Sequence, residues 1–395
     1  MASDPAADWR YMLSDLDFDD SETAAVLEVL DAKWLSMGPK TREFEKSFAE
    51  YAKAPFALAT SNCTTALHLA LIGLGIGRGD EVIVPSLTFA ATANAVLYTG
   101  AKPVFADISA VDNPLIDPRD IEKKINRNTR AIIVMHYAGY PCDMERIGAL
   151  ARKRDLFLIE DAAHAVGSYY DGRMCGSLGD VGCFSFFANK NLPVGEGGML
   201  LTHDRELHER LTRLRSHGMT SHTWDRARGE VNAYDVVELG YNYRPTELCS
   251  AIGLAQMRKL PGNNSKRDDL FAEYMKLLGG NAQILLPFAG LADPGRYARH
   301  LLPVVLAEGL DRVGFMRTLK EDGIQTSIHY LPVHEFTYYR SILQPRQAEG
   351  LENTEAYGRR VVTLPMHPLL TTADIGTICH CVQRALEDAT GASSR

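Results

Sequence analysis

The 395-residue sequence predicts an α/β protein: a large domain on a mostly parallel seven-stranded sheet, followed by a smaller C-terminal α+β domain. Three observations predict it. Short apolar runs alternate with longer amphipathic segments between residues 56 and 202, the βαβα rhythm of a doubly wound sheet. Most of these runs are apolar on both alternations, as strands are when helices cover both faces. Past the breaker cluster Leu260-Pro261-Gly262-Asn263-Asn264 the pattern changes to single helices and strands closed by a long helix.

In chain order, Asp20 to Lys33 is helical and can pack on either unit. The expected strands are Phe56 to Ala59, Glu81 to Val84, Pro103 to Asp107, Ala131 to Met135, Phe157 to Glu160, Val181 to Ser185 and Gly198 to Thr202. Helices are expected between them at Thr64 to Leu74, Ala91 to Leu97, Pro118 to Lys124 and Met144 to Lys153. A helical pattern from Thr246 to Met257 leads into the breaker cluster. Then come a helix (Ser265 to Leu278), a strand (Leu301 to Leu306), a helix (Gly309 to Asp322), a strand (Ile324 to His329) and a last helix from Thr372 to Ala389. The division is placed at residue 260, with 1–260 as N-terminal segment and large domain and 261–395 as small domain. The polar end Gly391-Ala392-Ser393-Ser394-Arg395 is expected to fray.

Composition excludes several classes. Lys plus Arg is 42 against 50 Asp plus Glu, a formal charge of -8, so the chain lacks the basic footprint of a nucleic-acid binder. No run approaches the roughly 18–20 apolar residues of a membrane span. Met1-Ala2-Ser3-Asp4-Pro5 is acidic and has no signal-peptide character. The cysteines at 63, 142, 175, 183, 249, 379 and 381 are odd in number and scattered. Only Cys379-His380-Cys381 is tight, and it lacks a second ligand pair at zinc spacing, so no metal site is expected. These features read as reduced thiols in a cytoplasmic protein.

Three segments carry chemistry. Leu158-Ile159-Glu160-Asp161-Ala162-Ala163-His164 ends an apolar strand in a carboxylate, at the sheet edge where ligands gather in open α/β folds. Alone, Asp161 reads equally as a solvated strand end or a helix cap. Cys183-Phe184-Ser185-Phe186-Phe187-Ala188-Asn189-Lys190 places a lysine after an aromatic strand and before the flexible Gly195-Glu196-Gly197-Gly198. A lysine stripped of water loses basicity and can form imines; the alternative is a surface lysine. Ala59-Thr60-Ser61-Asn62-Cys63-Thr64-Thr65 leads small polar residues into a helix whose first N–H groups suit a phosphate, or simply form an ordinary capped start. The Walker and G-x-G-x-x-G patterns are absent. Together, a phosphate anchor, an acid and an amine at strand ends meet the requirements of pyridoxal phosphate, which needs a lysine, an acid against its ring nitrogen and a helix start for its phosphate.

The sequence resembles the DegT/DnrJ/EryC1/StrS family of sugar aminotransferases, of the aspartate aminotransferase architecture (fold type I). The likeness runs from Trp34-Leu35-Ser36-Met37-Gly38-Pro39 through Val84 to Thr92, Phe184-Ser185-Phe186, Lys190-Asn191 and Gly195 to Gly198. It continues through Arg215-Ser216-His217-Gly218 and Gly240-Tyr241-Asn242-Tyr243-Arg244-Pro245-Thr246 to Leu364-Pro365-Met366-His367-Pro368. The resemblance implies that Lys190 bonds the cofactor and shuttles protons. It implies that Asp161 pairs with the ring nitrogen and that His164 lies against the ring and its phenolic oxygen. Phe89 would stack on the ring. Cys63 and Thr64 main-chain groups, with the Thr64 and Ser185 hydroxyls, would hold the phosphate. Asn242 would reach the partner subunit's phosphate, making a homodimer with shared active sites. Departures from the usual family pattern are Cys63, where many relatives have glycine, and Pro193, where many have threonine.

For the substrate, the resemblance brings Trp34 to Pro39 (Met37 within it), His217, His329 and Tyr330 to the entrance. The segment FFANKNL and the Cys63-Thr64 pair resemble the branch that aminates nucleotide-linked 4-keto-6-deoxy sugars or pentoses. The expected reaction moves the amino group of L-glutamate onto a nucleotide diphosphate keto sugar. A cyclitol aminotransferase and a non-enzymatic sensor of the same fold are the alternatives. Arg215, Arg244 and helix N-termini are the local groups expected to bind a diphosphate despite the acidic total.

Overall fold

The structure, a computed structural model, describes residues 9–221, 224, 228–229, 233–290 and 296–391. The N-terminal Met1 to Pro5 and most of the polar tail, Ala392 to Arg395, lie outside the described residues. Seven strands form the large sheet: β1 (Phe56–Thr60), β2 (Glu81–Pro85), β3 (Lys102–Ala106), β4 (Thr129–Met135), β5 (Phe157–Asp161), β8 (Val181–Ser185) and β9 (Gly198–Thr202). A short hairpin, β6 (Tyr169–Tyr170) and β7 (Arg173–Met174), intervenes between β5 and β8. The sheet order is β1-β9-β8-β5-β4-β2-β3. Only β9 runs against its neighbours β1 and β8; the remaining pairings are parallel. The carboxyl ends of β1, β2, β4, β5 and β8 therefore share one edge, next to the start of β9.

Both faces of the sheet are buried, as the two-sided apolar runs require. Val82, Val84, Ile133 and Ile159 pack with Leu67 and Leu71 of helix Cys63–Gly73 and with Leu211 and Leu214 of helix Arg205–Arg215. Ile83, Ile132, Val134 and Leu158 pack on the other face with Ile147 and Leu150 of helix Met144–Arg154. Helix starts are fixed by side chains: Asn62, Asp117, Asp143 and Asp204 each accept an N–H of the first turn. Helix Asp20–Ala32 docks on the long helix Glu247–Leu278, where buried Glu22 accepts from Gln256 Nε2 at 2.8 Å and Lys259 Nζ at 2.9 Å. No helix among the described residues is long and apolar enough to cross a membrane, and the seven cysteines are free thiols.

A second, three-stranded antiparallel sheet joins β10 (Ile284–Leu285), β11 (Leu302–Leu306) and β12 (Val361–Leu364). Its apolar core includes Phe315 and Leu319 of helix Arg312–Glu321 and Ile378 and Val382 of helix Thr372–Gly391. Two expectations fail in this half. Residues 324–329 make no strand: Ile324 bridges only Tyr11, and Ser327 only Thr363. The stretch runs beside fully buried β12, which it touches through the Ser327 bridge and through His329 Nδ1, 2.9 Å from Thr363 Oγ1, while Gln325 accepts from Leu13 N instead of facing the sheet.

The breaker cluster does not end a helix either. Glu247–Leu278 is continuous through Pro261. Pro261 and Gly262 face solvent, where water can satisfy the carbonyl that proline cannot. On the buried side, Asn264 Nδ2 donates to Val166 O at 3.0 Å and Arg267 Nη1 to Met366 O at 2.7 Å, fastening the turns beyond the proline. Restoring an N–H at this exposed position, in Pro261→Ala, should raise unfolding free energy by about 1–2 kcal/mol in urea titrations. A loss of stability would mean that the helix needs the proline.

Candidate active site

Five strand ends and the turns that follow them converge on a cleft of about 360 Å³ at the carboxyl edge. Its lining includes Cys63 and Thr64 after β1, Phe89 after β2, Asp161 and His164 at and after β5, and Ser185 and Lys190 at and after β8. His329 and Tyr330 close it from the C-terminal half. Nine of the twelve candidate residues thus meet in one place. Met37, His217 and Asn242 do not line it. Met37 borders a separate cavity of about 190 Å³ with Glu45, His208 and Arg215. His217, in the left-handed region at φ 63°, and Asn242, bridged to Ser216, are both exposed.

At the start of helix Cys63–Gly73, Asn62 and Thr65 cap each other. Thr65 N donates to Asn62 Oδ1 at 2.9 Å, and Asn62 N reaches Thr65 Oγ1 at 3.3 Å. The first-turn N–H groups of Cys63 and Thr64 have no carbonyl one turn back, so they remain for an anion in the cleft. The turn is closely packed: a Cβ on Gly198 would lie 2.5 Å from the Asn62 carbonyl. The Cys63 thiol is held well above its ordinary pKa, by burial first and then by Asp161, so it is not primed as a nucleophile.

Asp161 is 4% exposed. Thr92 Oγ1 donates to its Oδ2 at 2.7 Å, and Ala163 N to its Oδ1 at 3.2 Å. Because the Thr92 proton points at the carboxylate, the Thr88 hydroxyl 2.7 Å away must donate to Thr92. Burial pushes the Asp161 pKa up, while these donors and the Lys190 charge oppose the rise. A cation brought against this carboxylate would meet a partner already short of compensating charge.

His164 is neutral and its tautomer is set. Its Nδ1 accepts from Ala138 N at 3.3 Å, so Nε2 carries the proton toward Tyr330 Oη at 3.0 Å. Burial, followed by the Lys190 charge, holds its pKa well below the imidazole range. The phenol of Tyr330 then keeps its own proton to donate. Lys190 has its pKa lowered to about 8, by burial before anything else, against the raising effect of Asp161. Phe89 is 60% exposed at the mouth, its ring 6.1 Å from that of Tyr330. Pro193 leaves the turn after Lys190 well tied, with Val194 N donating to Phe186 O at 2.8 Å.

Some features were not anticipated. Thr92, the donor that orients Asp161, lies within a quoted motif but carried no expected role. His300 lies 3.4 Å from Lys190 Nζ and has no local sequence signal. Arg215 is corrected as a diphosphate ligand: it is 3% exposed, and its Nη1 is taken by Glu45 Oε1 at 2.6 Å and Ala59 O at 2.7 Å.

Two uncommitted helix N–H groups, two nearby hydroxyls, a buried carboxylate and a desolvated amine fit pyridoxal phosphate at its phosphate, its ring nitrogen and its aldehyde. Solved relatives agree. Spr1654 from Streptococcus pneumoniae, in its PLP-form, superposes with a TM-score of 0.88 at 29% identity, over 95% of this chain and 98% of that one. DesI, solved in the presence of its TDP-sugar product, gives 0.84 at 30% identity over 97% and 94%. SpsC of Bacillus subtilis, a spore coat polysaccharide biosynthesis protein, is 40% identical over 374 residues, 93% of this chain and 95% of its own length. The molecule is a pyridoxal-phosphate-dependent aminotransferase of the fold those structures share. Its residues 17–383 match the DegT/DnrJ/EryC1/StrS aminotransferase family, and the chain belongs to that family of sugar aminotransferases.

Two outcomes test the site. Uptake of pyridoxal phosphate by the cofactor-free protein should accelerate as pH rises through about 8, because the lowered Lys190 pKa frees the amine there instead of near 10.5; a midpoint near 10 would mean the amine is solvated. Thr92→Val should lower kcat by about tenfold, the worth of one hydrogen bond to a charged group, while Asp161→Asn should lower it much further. Equal losses would show that Thr92 does more than orient Asp161.

Proposed function

We propose that the enzyme moves the amino group of L-glutamate onto a keto sugar carried by a nucleoside diphosphate, with a 4-keto-6-deoxy sugar or a pentose as acceptor. The observation that carries the transfer chemistry is the cleft itself, where an amine of lowered basicity shares one pocket with a buried carboxylate and an anion-binding helix start. The nucleotide sugar is supported by DesI, which was solved with a TDP-sugar, and by the FFANKNL segment around Lys190.

Bound pyridoxal phosphate supplies an electron-withdrawing ring that accepts the electron pair released at an amino-bearing carbon. In this reading, Lys190 Nζ removes a proton from the amino-bearing carbon of the donor. In the reverse sense it delivers one to the sugar carbon that receives nitrogen. Asp161 would hold a proton on the ring nitrogen by offering it negative charge. His164 Nε2–H and the Tyr330 hydroxyl would donate to the ring's phenolic oxygen. The Cys63 and Thr64 N–H groups, with the Thr64 and Ser185 hydroxyls, bind the phosphate. Phe89 would pack on the ring, where aromatic packing adds about 0.5–1.5 kcal/mol. His329 borders the sugar site.

We also infer a homodimer in which Asn242 reaches the partner's phosphate, with Met37 and His217 at the shared entrance. The segment before Asn242 supports this: Tyr234, Val236, Val237 and Leu239 are all more than half exposed, Leu239 at 83%. Such an apolar run on the surface favours a covering partner.

Lys190→Ala should abolish turnover and the visible absorbance of lysine-bound cofactor. The pyridoxamine phosphate form, offered a panel of nucleotide-linked keto sugars and keto-inositols, should aminate a sugar as read by mass spectrometry. Amination of keto-inositols alone would replace the sugar with a cyclitol.

A further inference from the structure

The surroundings of His300 fix which of its ring nitrogens carries the proton. The chain of donors begins at main-chain carbonyls. Asn264 Nδ2 donates to Val166 O at 3.0 Å, so its Oδ1 is an acceptor. Asn191 Nδ2 donates to that oxygen at 2.9 Å and to Ala298 O at 2.6 Å. The Asn191 Oδ1 is therefore left as an acceptor 3.0 Å from His300 Nδ1. A carbonyl oxygen at that distance requires the proton on Nδ1. Nε2 keeps its lone pair and faces Lys190 Nζ at 3.4 Å.

A second proton on the ring is strongly disfavoured. His300 is 4% exposed, and burial, then the nearby Lys190 charge, hold its pKa well below the imidazole range. Asp161 and Cys63 are the other titratable groups acting on Lys190, both favouring its charged form. The ring is held in place as well, by the Asn191 bond and by the His164 ring, whose centroid lies 4.3 Å from its own, on a main chain fixed by the N–H bond to Ala138 O at 2.9 Å.

We propose that His300 is a positioning residue for Lys190: its bare Nε2 accepts one N–H of the lysine amine, and Asn191 and Asn264 lock the tautomer that makes this possible. A neutral amine has two N–H groups and one lone pair. Giving one N–H to the cleft wall turns the lone pair toward the cleft, where Asp161 and His164 stand. A neutral acceptor also serves the ammonium form, so the amine stays in place through both protonation states. Asn191 adjoins Lys190 in sequence, so the same residue sets the backbone beside the lysine and the imidazole against its tip. The proposal rests on the reading of Lys190 as the reactive amine.

The test uses the full-length protein freed of cofactor. Acetylation of Lys190 by acetic anhydride, followed by peptide mass spectrometry over a pH series, reads the amine without any turnover. His300→Leu should lower the high-pH acetylation rate about fivefold to tenfold, the worth of one hydrogen bond, and His300→Gln, which offers an amide oxygen, should recover to within about twofold. His300→Leu reacting like the parent protein, or His300→Gln reacting as slowly as His300→Leu, overturns the proposal. Nitrogen-15 NMR of histidine-labelled parent protein gives a second reading that needs no stable leucine variant. The resonance pair absent from His300→Gln should show a protonated Nδ1 and a bare Nε2; a protonated Nε2 overturns the proposal. If Lys190→Ala kept its turnover, the role of Lys190 would fall while both of these measurements still reported on the contact.

Discussion

Two neighbouring carboxylates at the end of β5 hold the site in place. Strand alternation sends Glu160 and Asp161 to opposite faces of the sheet. Glu160 is completely buried, a placement that is tolerable only because it is fully bonded. It accepts from Gly176 N at 2.6 Å, Leu178 N at 2.6 Å, Gly179 N at 2.7 Å and His136 Nε2 at 2.8 Å. His136 takes the Cys142 N–H on its other nitrogen at 3.1 Å, which leaves Nε2 as its donor to Glu160. The carboxylate thus ties the end of β4 and the turn before β8 to β5. The packing there leaves no room for side chains: a Cβ on Gly182 would lie 2.0 Å from Gly176 O. Without Glu160, the N–H groups of buried Gly176 and half-buried Leu178 and Gly179 would lose their acceptor, at up to about 1–3 kcal/mol each. The position of Asp161 on the cleft side follows from this anchoring on the other.

Much of this was legible in the sequence because it is local. A strand covered on both faces shows itself as an apolar run, so β1 to β5, β8 and β9 emerge within a residue or two of their observed ends. A carboxylate ending such a run, and a lysine a few residues beyond another, fall at the carboxyl edge whatever the details. The errors arose where tertiary contacts overrode local signals. Pro261 is a breaker only if its turn is unsupported, and Asn264 and Arg267 support it. Residues 324–329 read as a strand, yet they touch β12 only through the Ser327–Thr363 bridge and the His329–Thr363 contact, while Gln325 is drawn to Leu13, so no ladder forms. Helix Pro39–Ala52 had its proline start in plain view and was still missed. His300 could not have been found, because 110 residues separate it from the lysine it touches and no spacing marks the pair.

Net charge is a poor guide to the ligand of this cleft. The chain carries -8 overall, and Arg215, one of the arginines expected to bind an anion, is neutralised internally by Glu45. At the start of helix Cys63–Gly73 the cleft offers an array of neutral donors, the N–H groups of Cys63 and Thr64 and two hydroxyls. That choice has an electrostatic consequence for the amine. A guanidinium beside the phosphate would put a full positive charge in the pocket that holds Lys190, whereas helix N–H groups offer partial charge that falls off within a turn. Two buried imidazoles around the lysine are likewise held neutral, His164 by burial and the Ala138 N–H and His300 by burial. With neutral donors on every side, the charge that matters in the cleft is the one Lys190 and Asp161 exchange with what they bind. Burial has already brought the lysine down to about 8, close to where a proton can move either way.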